Sequence, residues 1–76
     1  MDVSTAEVLS KARKLLVELG LSVPVTRSVI ARLAEQYPEV APTRRIGAGA
    51  RLWPAETAAH VARILARETA EREAVR

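Results

Sequence analysis

Thr43-Arg44-Arg45-Ile46-Gly47-Ala48-Gly49-Ala50-Arg51-Leu52-Trp53-Pro54 sets three arginines around two glycines and carries the chain's single tryptophan. Three structures compete for this stretch: a glycine-rich cradle for a phosphate, an ordinary turn, or a basic two-stranded ribbon. The cradle fails on spacing. A Walker loop follows its glycines with Lys and then Ser or Thr, which reach phosphate and magnesium, whereas Gly49 is followed by Ala50 and Arg51. A dinucleotide loop needs a third glycine three residues after the second, and that position is Leu52. Helical periodicity is missing from 42 to 53. Two short segments, 43–46 and 51–53, flank the glycines, which is the pattern of a hairpin.

Both flanks read as helices. Upstream, Val29, Ile30, Leu33 and Tyr37 share one face of a helix expected over about 26–37, with Thr26 as N-cap. Pro38 ends it, because the residue before a proline is pushed out of the helical region. Further upstream, Ser4 and Glu7 match a capping box, and Val8, Ala12, Leu15 and Leu19 repeat at helical spacing, with Leu9 and Leu16 widening the stripe. Gly20 supplies the stop. Downstream, a third helix is expected to open at Pro54, whose fixed φ and missing N–H suit a first turn, with Glu56 complementing the helix dipole. Its stripe is Ala58, Val61, Ile64 or Leu65, and Glu68, clear to about residue 67. Residues 69–76 are expected to be a fraying helix end or a tail.

Composition narrows the class. Seventy-six residues make one domain with a small core, and with no Phe that core is built from Leu, Val, Ile and Ala. The formal charge is +3. Its placement says more than its size: between residues 25 and 53 five arginines face only Glu35 and Glu39, while outside this span seven basic residues balance seven acids. A basic centre favours an anionic partner. Without cysteine there is neither a disulfide nor a thiolate metal site, and no run of 18 apolar residues is present. The chain is therefore expected to be soluble and cytoplasmic, away from membranes.

Catalysis has little to work with. One His and no Cys leave no nucleophile with a base and an orienting partner, and no set of metal ligands at recognised spacing. His60, one turn after Glu56, reads as a surface residue beside a helical neighbour. Neither enzymatic activity nor a cofactor or metal is expected.

Two helices, a basic ribbon and a third helix follow the order of a winged helix-turn-helix. The fold class is thus mainly α with a short β-hairpin: three helices plus a two-stranded wing. The residues resemble the MerR-like winged domains, which include small excisionase-like proteins and the DNA-binding ends of phage terminase small subunits. The resemblance rests on Arg32 and Glu35 three apart, then Pro42 and Arg44, and on Arg51-Leu52-Trp53 closing the wing; it spans about residues 19–65. Departures are a longer first helix, Leu33 and Ala34 in place of paired aromatics, Pro38 where glycine is common, and Pro54 in place of a Ser, Thr or Asp cap.

The resemblance implies that helix two enters the major groove of double-stranded DNA while the wing lies along the backbone. The candidate DNA-binding residues are Arg27, Ser28, Arg32, Arg44, Arg45, Gly47, Gly49 and Arg51. Arg27 and Ser28 stand at the start of helix two, where side chains and N–H groups reach phosphate or base edges. Arg32 lies off the apolar stripe, and either contacts DNA or pairs with Glu35 on the surface. Along a strand Arg44 and Arg45 alternate in direction, so one faces DNA and the other the domain, unless both are a solvated face. Gly47 and Gly49 allow close approach to a phosphate. Arg51 either contacts DNA or ties the wing to helix two through Glu35. Trp53 and Tyr37 read as packing residues.

Five basic side chains near phosphates imply a slope of log K against log salt of about −4 to −5. A domain this small buries little surface on DNA, so a homodimer or cooperative assembly is expected, through Leu16 and Leu19 of helix one or through the C-terminal helix. The functions compatible with the scaffold are a small transcriptional regulator, an excisionase-like factor or a phage DNA-packaging recognition domain. A protein-interaction module without DNA binding is the alternative.

Overall fold

The computed structural model describes the backbone of residues 2–46 and 50–74, and the side chains of the same residues apart from 44–46 and 50. Chain order is β1 (Asp2–Ser4), α1 (Thr5–Glu18), α2 (Arg27–Gln36), β2 (Arg44–Ile46), β3 (Ala50–Pro54) and α3 (Thr57–Ala74). The fold is mainly helical, with a small antiparallel sheet.

Each helix starts and stops where local chemistry supplies a reason. At the head of α1 the Glu7 N–H donates to Ser4 Oγ at 3.3 Å, satisfying one of the first-turn donors that have no partner inside the helix. The other end closes in a Schellman arrangement: Gly20 N–H donates to Val17 O and Leu21 N–H to Leu16 O, both at 2.9 Å. Gly20 holds φ at +76°, and a Cβ there would meet nothing within 4 Å. The constraint is therefore backbone conformation, not space. In α2 Thr26 Oγ1 accepts from the Val29 N–H at 3.3 Å, and Tyr37 leaves the helix for extended geometry ahead of Pro38.

The link from Leu19 to Thr26 is longer than the three or four residues common in helix-turn-helix units. Arg13 braces it. Its Nε and Nη2 donate to the Val25 carbonyl at 3.2 and 2.7 Å, which fixes the approach to α2 from the side of α1.

β2 and β3 form the expected hairpin, with Arg44 opposite Leu52, Arg45 opposite Arg51 and Ile46 opposite Ala50. Two features differ from the sequence expectation. The sheet has three strands, in the order β1-β3-β2, because Asp2–Ser4 pairs antiparallel to the other edge of β3 and sets Val3 opposite Trp53. Pro54 does not open a helix. It is the last residue of β3, opposite Asp2, at a strand end where a missing N–H is tolerated. Helix three accordingly begins three residues later, at Thr57, and its first turn is closed by the His60 N–H donating to Glu56 O at 3.2 Å.

The core collects Val8, Ala12 and Leu16 from α1, Ile30 and Leu33 from α2, Ala58, Val61, Ala62, Ile64 and Leu65 from α3, and Val3, Val25, Val40 and Trp53 from the remainder. On α3 Ile64 and Leu65 are both buried. Leu16 and Leu19, each expected both in the α1 stripe and as apolar surface for assembly, divide: Leu16 is a core residue of the stripe, while Leu19 is 62% exposed as the C-cap of α1. Helix α3 runs to Ala74, with its last turn exposed from Ala70 onward. Among the described residues no helix is long and apolar enough to cross a membrane.

Candidate nucleic-acid interface

The outer face of α2 follows from its burial pattern. Ile30 and Leu33 point inward, so helical periodicity turns Ser28, Arg32 and Glu35 outward, and all three are exposed. Arg27 is exposed at the first position of the helix, whose first turn holds no acidic residue. That end presents the positive side of the helix dipole together with a guanidinium.

Arg51 and Trp53, two apart on β3, project from the same side of the sheet toward α2. With Thr5, Arg27, Ile30 and Ala31 they line an open notch of about 210 Å³ between the helix and the hairpin. Trp53 forms its floor: it is 1% exposed, and its Nε1–H donates to Thr5 Oγ1 at 2.9 Å. Arg51 is half-buried at the edge. Two arginines from elements far apart in sequence thus converge on one concave spot.

Arg32 stands on the opposite flank of α2 and belongs to a different cluster. Its partner is not Glu35. Nη2 donates to Glu68 Oε1 at 3.1 Å and Nη1 to Glu68 Oε2 at 3.4 Å, while Nη1 also donates to Gln36 Oε1 at 2.6 Å. Tyr37 Oη donates to Glu68 Oε2 at 3.1 Å, and the Arg67 guanidinium lies 5.8 Å from the centre of the Tyr37 ring. Tyr37 is therefore a half-buried packing residue with a polar edge.

The Arg32 hydrogen bond holds the Glu68 carboxyl below the ordinary glutamate range. Partial burial works against this, while the Tyr37 hydroxyl and the charges of Arg32 and Arg72 assist it. Arg32 is raised in turn, chiefly by the bond to Glu68 and against its own partial burial. Because the folded carboxyl is depressed, the pair's contribution to stability is complete above the unfolded-state glutamate value of about 4.3. It is lost as pH falls through the lower folded value. Exposed pairs contribute about 1 kcal/mol or less, which in a domain of this size is a few degrees in Tm. Melting of wild type and Glu68→Gln should differ by that amount at neutral pH and converge in acid; a gap that persists unchanged in strong acid would contradict the assignment.

The remaining candidates divide by what is described. Arg44 and Arg45 are paired backbone positions on β2, and Gly47 and Gly49 lie outside the described residues. No bond between Arg51 and Glu35 occurs among the described residues, where Arg32–Glu68 is the ion pair present. The candidates thus form two groups, Arg27 with Arg51 at the notch and Arg32 with Glu68 across α2, with Ser28 on the face between. Arg13, Thr5 and Glu68 support these groups without having been candidates. Glu68 had one sequence signal, a charge where the α3 stripe calls for an apolar side chain.

Comparison with protein-family models, with curated proteins and with solved structures finds no match to this chain.

Proposed function

We propose that this protein binds double-stranded DNA as a MerR-like winged helix-turn-helix, with α2 directed at the major groove and the β2–β3 hairpin along the backbone. One observation carries the reading above all: Arg27 at the start of α2 and Arg51 on the hairpin line the same open notch. A concave spot with two guanidiniums at a helix N-terminus suits a phosphate. The order of two helices, hairpin and third helix supports the same scaffold, and so does the resemblance in Arg32, Glu35, Pro42, Arg44 and Arg51 to Trp53.

The role proposed is sequence-specific recognition by a small regulator or excisionase-like factor acting as a homodimer or a cooperative array. Val17 and Leu19, 72% and 62% exposed at the end of α1, are the apolar surface offered for that assembly. Fluorescence anisotropy with labelled genomic duplexes at several salt concentrations tests the proposal. Arg27, Arg44, Arg45 and Arg51 together correspond to a slope of about −3.6 in log K against log salt, and a fully engaged Arg32 takes it to about −4.5. Absence of salt-sensitive binding at low ionic strength removes the DNA reading and leaves the scaffold as a protein-interaction module.

A further inference from the structure

We infer that Glu68 is a specificity-determining residue that withholds Arg32 from DNA of arbitrary sequence. The inference rests on the DNA-binding reading and adds to it a residue on α3, outside both α2 and the hairpin. A guanidinium carries five N–H donors. In Arg32 three are occupied: both on Nη1, by Gln36 and Glu68, and one on Nη2, by Glu68. Among the described residues the other two donors, Nε–H and the second Nη2 hydrogen, have no partner, and the side chain that carries them is 45% exposed.

The clamp is rigid at its acidic end. Glu68 receives Tyr37 Oη as well as Arg32, and its side chain is only 19% exposed, so the carboxylate is held by two groups against the body of α3. Two consequences follow for a polyanion approaching α2. The fixed carboxylate offsets the charge of Arg32, so a loosely placed phosphate gains little from it. A phosphate or base edge docked in register meets the two free donors without any side-chain ordering to be done, since Arg32 is already in place. Glu68 therefore lowers affinity for mixed sequence more than affinity for a fitted site.

The test uses the full chain and a fluorescein-labelled duplex of mixed sequence, titrated across a salt series, with circular dichroism confirming the fold of each variant. Glu68→Gln should bind this duplex three- to tenfold tighter than wild type near physiological salt. Its slope should steepen by about 0.9, the value of one added phosphate contact. Glu71→Gln, the same charge change at an exposed position one turn along α3, should leave the slope unchanged. In an Arg32→Ala background the effect of Glu68→Gln should vanish, as a double-mutant cycle requires if the two residues act through each other. Glu68→Asp keeps the charge but draws the carboxylate back by one methylene, and should steepen the slope in the same direction; it serves if the Gln variant does not fold. Wild-type binding with a slope that neither Glu68 variant alters, an equal effect from Glu71→Gln, or an effect that survives Arg32→Ala overturns the inference and leaves DNA binding standing. No salt-sensitive binding by wild type overturns both.

Discussion

Trp53→Ala is expected to destabilise the fold by about 3–5 kcal/mol, the range for removing a large aromatic side chain from a packed core. A domain of this length has only about 4–11 kcal/mol in total at 0.05–0.15 kcal/mol per residue, so the variant should lose a large share of its stability and melt at least about 12 °C lower, at roughly 4–8 °C per kcal/mol. Position explains the size of the effect. Trp53 sits on the central strand, opposite Val3 of β1, and is the largest fully buried side chain among the described residues. The core around it is mostly Val, Ala, Leu and Ile, and these cannot collapse into a cavity of indole size. The substitution also leaves Thr5 without its donor. Trp53→Phe keeps a ring and loses the N–H, so it should cost less than half as much. Urea unfolding followed by circular dichroism separates the two, since the sole tryptophan fluorophore is the residue removed. Equal, small losses in both variants would mean that the hairpin does not depend on this anchor.

The same residue shows which parts of the fold were legible. Trp53 as a core anchor follows from an aromatic closing a short strand in a chain without Phe. Helix termini were legible for a related reason: Ser4, Thr26, Gly20 and Pro38 act on backbone groups within a few residues of themselves, so their effect is written locally. β1 was not legible. Three residues carry too little alternation to mark a strand, and Asp2–Ser4 is extended because β3 offers it a free edge, a fact of tertiary structure. Pro54 failed in the opposite way. A proline before a helix suits a first turn or a preceding strand end equally well, and only the pairing with Asp2 decides between them.

Long-range side-chain partners were the least accessible. Arg32 and Glu35 have the spacing of a helical pair, yet Arg32 turns to Glu68, 36 residues away, and to Gln36. A carboxylate held by a second helix and by the Tyr37 hydroxyl is a better acceptor than a mobile neighbour on the same surface. Arg13 and the Val25 carbonyl met for a similar reason: α1 passes beside the link it precedes, and an unpaired carbonyl there takes the nearest guanidinium. The charge excess of residues 25–53 pointed to α2 and the hairpin as the basic face, but the division of its arginines into a notch and a clamped Arg32 needed the placement of α2 beside β3 and α3.

Neutralising the notch should produce the largest loss of DNA binding. Arg27→Gln with Arg51→Gln removes two cations while keeping two of the three methylenes of each stem, so much of the cover over Trp53 is preserved. If each arginine meets a phosphate, the slope of log K against log salt should become shallower by about 1.8. Charge-assisted hydrogen bonds contribute about 1.5–3 kcal/mol each, so affinity at about 0.1 M salt should fall by at least a hundredfold, at tenfold per 1.4 kcal/mol. Each single variant should show half of the slope change. Melting temperature should move little, since Arg27 is exposed, Arg51 is half-buried, and neither is in an ion pair among the described residues. The decisive comparison is with Lys11→Gln and Lys14→Gln on α1, which removes the same charge from exposed positions outside the notch. General attraction of a basic protein to DNA makes the two pairs equivalent, whereas a phosphate seated between α2 and the hairpin keeps the hundredfold loss in the notch pair and leaves the α1 pair nearly silent at physiological salt, where the Debye length is about 8 Å.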